Sequence, residues 1–125
     1  LLTDSGRDWM HAQIYTNTVA GDRGAGYIAL TTNAGAPAAG DTALTGEITT
    51  GGLERADASS KSHSAGTNTT TIQNTFTSSA THTAVVKAGL FNAAAVGTMA
   101  HINTFTSVTL ASSDTLEVTW TITLG

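Results

Sequence analysis

The sequence predicts an all-β fold, an antiparallel β-sandwich or jelly-roll-like domain with one short helix at its N-terminal end. Three observations carry that expectation. Threonine makes up about a fifth of the 125 residues, against one proline and no cysteine, and β-branched enrichment of this kind favours strands. The C-terminal segment alternates strictly, with Leu116, Val118, Trp120, Ile122 and Leu124 separated by Glu117, Thr119, Thr121 and Thr123, the period of a strand with one buried and one wet face. Short segments with turn signals between them follow one another at spacings that suit antiparallel pairing rather than βαβ units.

The elements follow in chain order. Ser5-Gly-Arg-Asp8 fits a capping pattern, and Met10 and Ile14 lie one turn apart, which predicts a helix over 6–15. Residues 17–26 are rich in Asn, Gly, Asp and Ala without period and read as a loop. Tyr27-Ile-Ala-Leu-Thr-Thr32 predicts a first strand buried on nearly both faces, and Asn33 to Asp41, with the single proline, predicts a small-residue loop. Further strands are expected at 53–59, 69–77, 82–91, 99–106 and 115–124, with a short one near 107–110 and a turn at Ser112-Ser-Asp114. The word Asn74-Thr-Phe-Thr-Ser78 recurs as Asn103-Thr-Phe-Thr-Ser107, which two equivalent strands of a sandwich would explain. The whole, 1–125, is expected to be a single domain, an N-terminal arm over 1–16 and a β body over 17–125. A chain of this length buries about two thirds of its unfolded surface.

Composition excludes several classes. Only 11% of residues are charged and 40% are hydrophobic, far from the signature of disorder. Without cysteine there is no disulfide, Cys-ligated metal site or thiol nucleophile. Nine acidic and five basic residues leave a net charge of −4. The basic residues Arg7, Arg23, Arg55, Lys61 and Lys87 are scattered, so no nucleic-acid footprint is expected, and no apolar run is long enough for a membrane helix. The chain opens on Leu1 without a signal-peptide pattern, and the missing Met predicts an upstream segment.

Candidate chemistry is sparse. His63, His82 and His101 are spaced by 19; three imidazoles can bind zinc, but that spacing carries no local geometry, and neither metal nor cofactor is expected. Asp8 and His11 are three apart on the predicted helix and are expected to share a surface hydrogen bond. Glu47, Glu54, Asp57 and Glu117 could be paired for glycosidase work in several ways, none with support from spacing. Gly21-Asp-Arg-Gly-Ala-Gly26 lacks the pattern of a phosphate-binding loop, and Asn68-Thr-Thr70 matches a glycosylation sequon that a threonine-rich chain meets by chance. The residues describe a scaffold rather than an enzyme.

Two stretches resemble structural proteins of tailed bacteriophages: Tyr27-Ile-Ala-Leu-Thr-Thr-Asn-Ala-Gly-Ala-Pro-Ala-Ala-Gly-Asp-Thr-Ala-Leu-Thr-Gly-Glu-Ile48, and the C-terminal pattern running from Lys87-Ala-Gly-Leu-Phe-Asn92 through Gly97-Thr-Met-Ala-His101 to Asp114-Thr-Leu-Glu-Val-Thr-Trp-Thr-Ile-Thr-Leu124. The resemblance implies a virion protein without catalysis: a capsid decoration (cement) protein on the outer surface of the head, bound to the major capsid protein lattice and to itself as a homotrimer. A tail or fibre component with a receptor or glycan site, using Tyr27 or Trp120, is the alternative, though Trp120 is expected to be buried. Trp9, Met10, Ile14 and Tyr15 are the candidate interface, since aromatics concentrate at interface cores. Removing residues 1–16 is then expected to abolish shell binding and leave the β fold intact.

Overall fold

The computed structural model describes residues 1–16 and 24–125; most of the loop expected over 17–26 lies outside the described residues. The fold is all-β and antiparallel, with one short N-terminal helix. Helix α1 spans Asp4–His11 and runs on as a π-helical turn over Ala12–Thr16. Its N-cap is Thr3 and not Ser5: the Thr3 hydroxyl accepts from the Gly6 N–H at 3.1 Å, and Asp4 places negative charge on the first turn, where the helix dipole favours it.

Among the described residues seven strands follow: β1 Tyr27–Thr31, β2 Ala56–Asp57, β3 Ser60–His63, β4 Thr69–Thr77, β5 His82–Phe91, β6 Met99–Leu110 and β7 Thr115–Thr123. One sheet has the order β2-β1-β5-β6 and the other β3-β4-β7, with every pairing antiparallel. The strands expected over 69–77 and 82–91 appear as predicted, and the first and last each end one residue earlier.

Two of the strand expectations need correction. The strand expected over 53–59 is only Ala56–Asp57, because Gly51 and Gly52 take left-handed φ values of 80° and 85° in a turn, and Leu53, fully buried, follows it outside any strand. A Cβ on Gly52 would stand 2.1 Å from the Thr77 carbonyl oxygen, so no other residue fits there. The chain then crosses to the other sheet as β3, a strand without an apolar residue and so invisible to hydrophobic periodicity. The two strands expected over 99–106 and 107–110 are one twelve-residue strand, whose register shifts against β5 near Val85 and Leu90 absorb the break in pattern.

The main apolar cluster draws on both sheets: Ile28, Leu30, Val85 and Leu90 from one, Ile72, Phe76 and Ile122 from the other, with Tyr15 and Leu53. Each fully buried aliphatic side chain of this kind contributes about 1.5–3 kcal/mol. A second cluster, Tyr27, Ala29, Leu44 and Phe91, covers the opposite face of β1, which is why all five of its residues are buried. Lys87 is buried as well, its Nζ donating to Asn33 Oδ1 at 3.3 Å. Among the described residues no helix is long and apolar enough to cross a membrane.

Candidate functional site: the N-terminal helix and its seat

The helix lies with one face on the β3–β4 turn and the other in solvent. Arg7 donates from Nε to the Thr67 carbonyl and from Nη2 to the Gly66 carbonyl, both at 3.0 Å, and pairs with Asp4 at 2.6 Å. Asp8 accepts the Gly66 N–H at 3.0 Å and His63 Nε2 at 2.8 Å. The other ring nitrogen of His63 donates to the Thr69 carbonyl at 2.8 Å. Since a carbonyl and a carboxylate only accept, the two contacts together favour the imidazolium form of His63. Its hydrogen bond to Asp8, followed by that to Thr69, raises its pKa above the usual histidine value, and the same His63 bond holds Asp8 below the ordinary carboxylate range.

The partner of Asp8 is thus His63, not the expected His11. His11 is fully buried, stacks on His63 with ring centroids 4.1 Å apart, and meets the Thr70 hydroxyl through Nδ1. Burial, and then the charge of His63, push its pKa down. Its Nε2 has no hydrogen-bond partner among the described residues, and neither has Trp120 Nε1. One turn on, Tyr15 lies in the main core and its hydroxyl meets His101 Nε2 at 3.0 Å, while the His101 ring leans on Trp120 at 6.1 Å. Burial raises the Tyr15 pKa and lowers that of His101.

This seat corrects the expected interface. Tyr15 is 3% exposed and belongs to the core, and Met10 is half-buried. Trp9 at 65% and Ile14 at 39% do face solvent, joined by Leu1 and Leu2. The Met10 and Ile14 spacing marked the helix correctly, but the face it buries is that of His11 and Tyr15, whose partners stand on β4 and β6. Because Tyr15 and His11 are core residues, removing 1–16 would open the fold rather than spare it. After the helix the chain returns at Gly24, where a Cβ would stand 2.5 Å from the Ile14 carbonyl oxygen; the neighbouring Ala25 N–H donates to that same oxygen.

The remaining candidates disperse. His82 starts β5 and meets the Gly51 carbonyl at 3.0 Å, while His63 lies on β3 and His101 on β6, so the three spaced histidines form no cluster; among the described residues no group of three His, Asp or Glu could hold a metal. Glu47 grips Arg55 through two hydrogen bonds of 2.8 and 2.6 Å, and Asp57 pairs with Lys61 at 2.6 Å. Glu54 and Glu117 are exposed on different elements. His63 has both nitrogens occupied by Asp8 and Thr69, so neither serves as a base toward a substrate. What the arrangement does is tie one face of the helix to β3 and the β3–β4 turn and leave its tryptophan in solvent.

Searches with protein-family models, among curated proteins and among solved structures found no match to the chain.

Proposed function

We propose that the protein is a non-enzymatic virion structural protein, a capsid decoration protein that binds the outside of a phage head through the outer face of its N-terminal helix. The single observation that carries this reading is Trp9, 65% exposed on a helix whose opposite face is fixed by Asp8, Arg7 and His11. An indole held out on a rigid support loses little entropy on binding, and exposed apolar groups so displayed mark contact surfaces. Leu1, Leu2 and Ile14 extend the apolar ground around it. The resemblance of residues 27–48 and of the C-terminal pattern to phage structural proteins supplies the partner, the major capsid protein lattice. A sandwich built from the two sheets, with the threonine faces outward, suits a subunit that gains stability by binding many identical sites.

The tail or fibre reading draws less support. Tyr27 is buried and Trp120 is half-buried against His101, so neither offers an open ring for a sugar to stack on.

Co-sedimentation with phage shells lacking the protein tests the proposal. Hundreds of copies per particle and a raised disruption temperature are expected, with Trp9→Ala weakening binding about tenfold or more while circular dichroism stays unchanged. Binding untouched by Trp9→Ala would remove the helix from the interface, and no binding at all would remove the head.

A further inference from the structure

We propose that the free edge of β7 is a self-association surface, which pairs antiparallel with β7 of a second copy of this chain across a twofold axis. The inference rests on the strand geometry and not on the virion reading, so a dimer that ignores phage shells leaves it standing.

Sheet edges present unpaired N–H and C=O groups, and proteins blunt them with short strands, charges, prolines or bulges. One margin of this molecule is treated that way: β2 has two residues and β3 four, and the Asp57–Lys61 pair lies across them. The opposite margin is formed by β6 and β7. Strand β6 is interrupted by register shifts against β5. Strand β7 is not: it pairs with β4 one-to-one without a break from Thr69↔Thr123 to Thr77↔Thr115. Its outer edge is therefore regular over nine residues, contains no proline, and carries one charge, Glu117. Among the described residues no strand pairs with that edge.

Beside it runs a groove that is apolar along most of its length. A space of about 260 Å3 lies against Phe105, Leu116 and Val118, rimmed by Glu117 and Thr119, and a second of about 120 Å3 lies against Phe105, Val118 and Trp120, with Asn103, Thr104 and Thr119 as its polar side. An added strand that alternates apolar and polar residues would send its apolar side into this groove and its polar side to water.

The charge pattern points to a second copy as the occupant. In an antiparallel pair centred on Thr119, Glu117 of one copy faces Thr121 of the other, Val118 faces Trp120 and Leu116 faces Ile122. Apolar residues stay on the groove side, threonines stay in water, and the one charge on each strand meets a neutral hydroxyl. Such a pair is isologous and closes after two copies, so the unit it builds is a dimer in place of the trimer expected from sequence.

Light scattering and sedimentation over a wide concentration range test this with the whole chain. The expected particle has twice the 12.7 kDa chain mass. Thr121 is exposed on the wet face, so charge can be placed there without touching the core. Thr121→Glu sets a second carboxylate opposite Glu117 twice per dimer and is expected to raise the dissociation constant about tenfold, while Thr121→Lys lowers it; both shifts shrink with salt. A monomer at every concentration, an assembly of another size, or equal constants for the two variants would overturn the proposal.

Discussion

The two margins of the molecule solve the same problem in opposite ways. At the β2/β3 margin the strands are short and the Asp57–Lys61 pair lies across them, and Arg55, just before β2, ties that strand's approach to the rest of its sheet: it binds Glu47 twice, donates to the Ala93 and Val96 carbonyls of the β5–β6 loop at 3.2 and 2.8 Å, and lies 3.6 Å over the Phe91 ring. Val96, whose carbonyl it takes, holds a left-handed φ of 57°, a conformation a β-branched residue rarely adopts. At the β6/β7 margin the strands are long, nearly uncharged, and Phe105 is only half-buried. One margin is finished within the chain, and the other keeps hydrogen-bonding groups and apolar surface available. Closure by polar side chains costs desolvation but blocks wrong partners; an open edge leaves that energy for assembly.

Three experiments break or sharpen this contrast. The largest effect compares the repeated phenylalanines. Phe76→Ala, at 3% exposure on the central strand of its sheet, should cost about 3–5 kcal/mol in urea unfolding, and Phe105→Ala about 1–2 kcal/mol. Equal costs would mean that the β6/β7 margin is as closed as the core.

Next in size is Arg55→Met. It strands a partly buried Glu47 carboxylate and two carbonyls, and should lower stability by about 2–3 kcal/mol in the same measurement. A change below 0.5 kcal/mol, roughly the scale of an ordinary surface substitution, would show that the approach to β2 is not held by Arg55.

The smallest effect is a pH dependence of the helix, which spans both margins by resting on His63 of β3 and on His101 of β6 through Tyr15. The pKa of His63 is raised by Asp8 and Thr69. Its contribution is complete below the unfolded histidine value and is lost as pH rises through the higher folded value. His11 and His101 are lowered by burial, so they favour the fold while neutral and oppose it as pH falls below the unfolded histidine value. The lowered Asp8 adds a loss at still lower pH. Thermal midpoints followed against pH should therefore fall on both sides, and His63→Gln should flatten the alkaline limb and also weaken the acid limb, since His63 is what chiefly holds Asp8 down and helps hold His11 down; the part of the acid limb that remains belongs to the burial of His11 and His101. An unchanged alkaline limb in that variant would take His63 out of the helix seat.

Much of the fold was legible in the chain. The alternation of 115–124 predicted β7, and turn-bounded runs predicted β4 and β5; β4 and β7 bury one face, which periodicity reports directly, whereas β5 is buried continuously over its last five residues and was marked by its flanking turns. The seat of the helix was not legible. Ser60-Lys-Ser-His63 has no apolar residue to mark it as a strand, and His11 and Tyr15 gave no sign of being core, since a polar group can be buried once a partner stands opposite and the partners lie 59 and 86 residues away.

The repeated word Asn-Thr-Phe-Thr-Ser marks where that reach ends. Sequence alone determined that both copies would be strands, through threonine and phenylalanine at alternating positions. It could not give them the same fate: Asn74–Ser78 begins on β4, between β3 and β7, and Phe76 is buried, whereas Asn103–Ser107 lies on β6 at the edge of the other sheet and Phe105 stays half-exposed. Local propensity acts over a few residues, but burial depends on what the rest of the chain places alongside, and only the tertiary structure decides that.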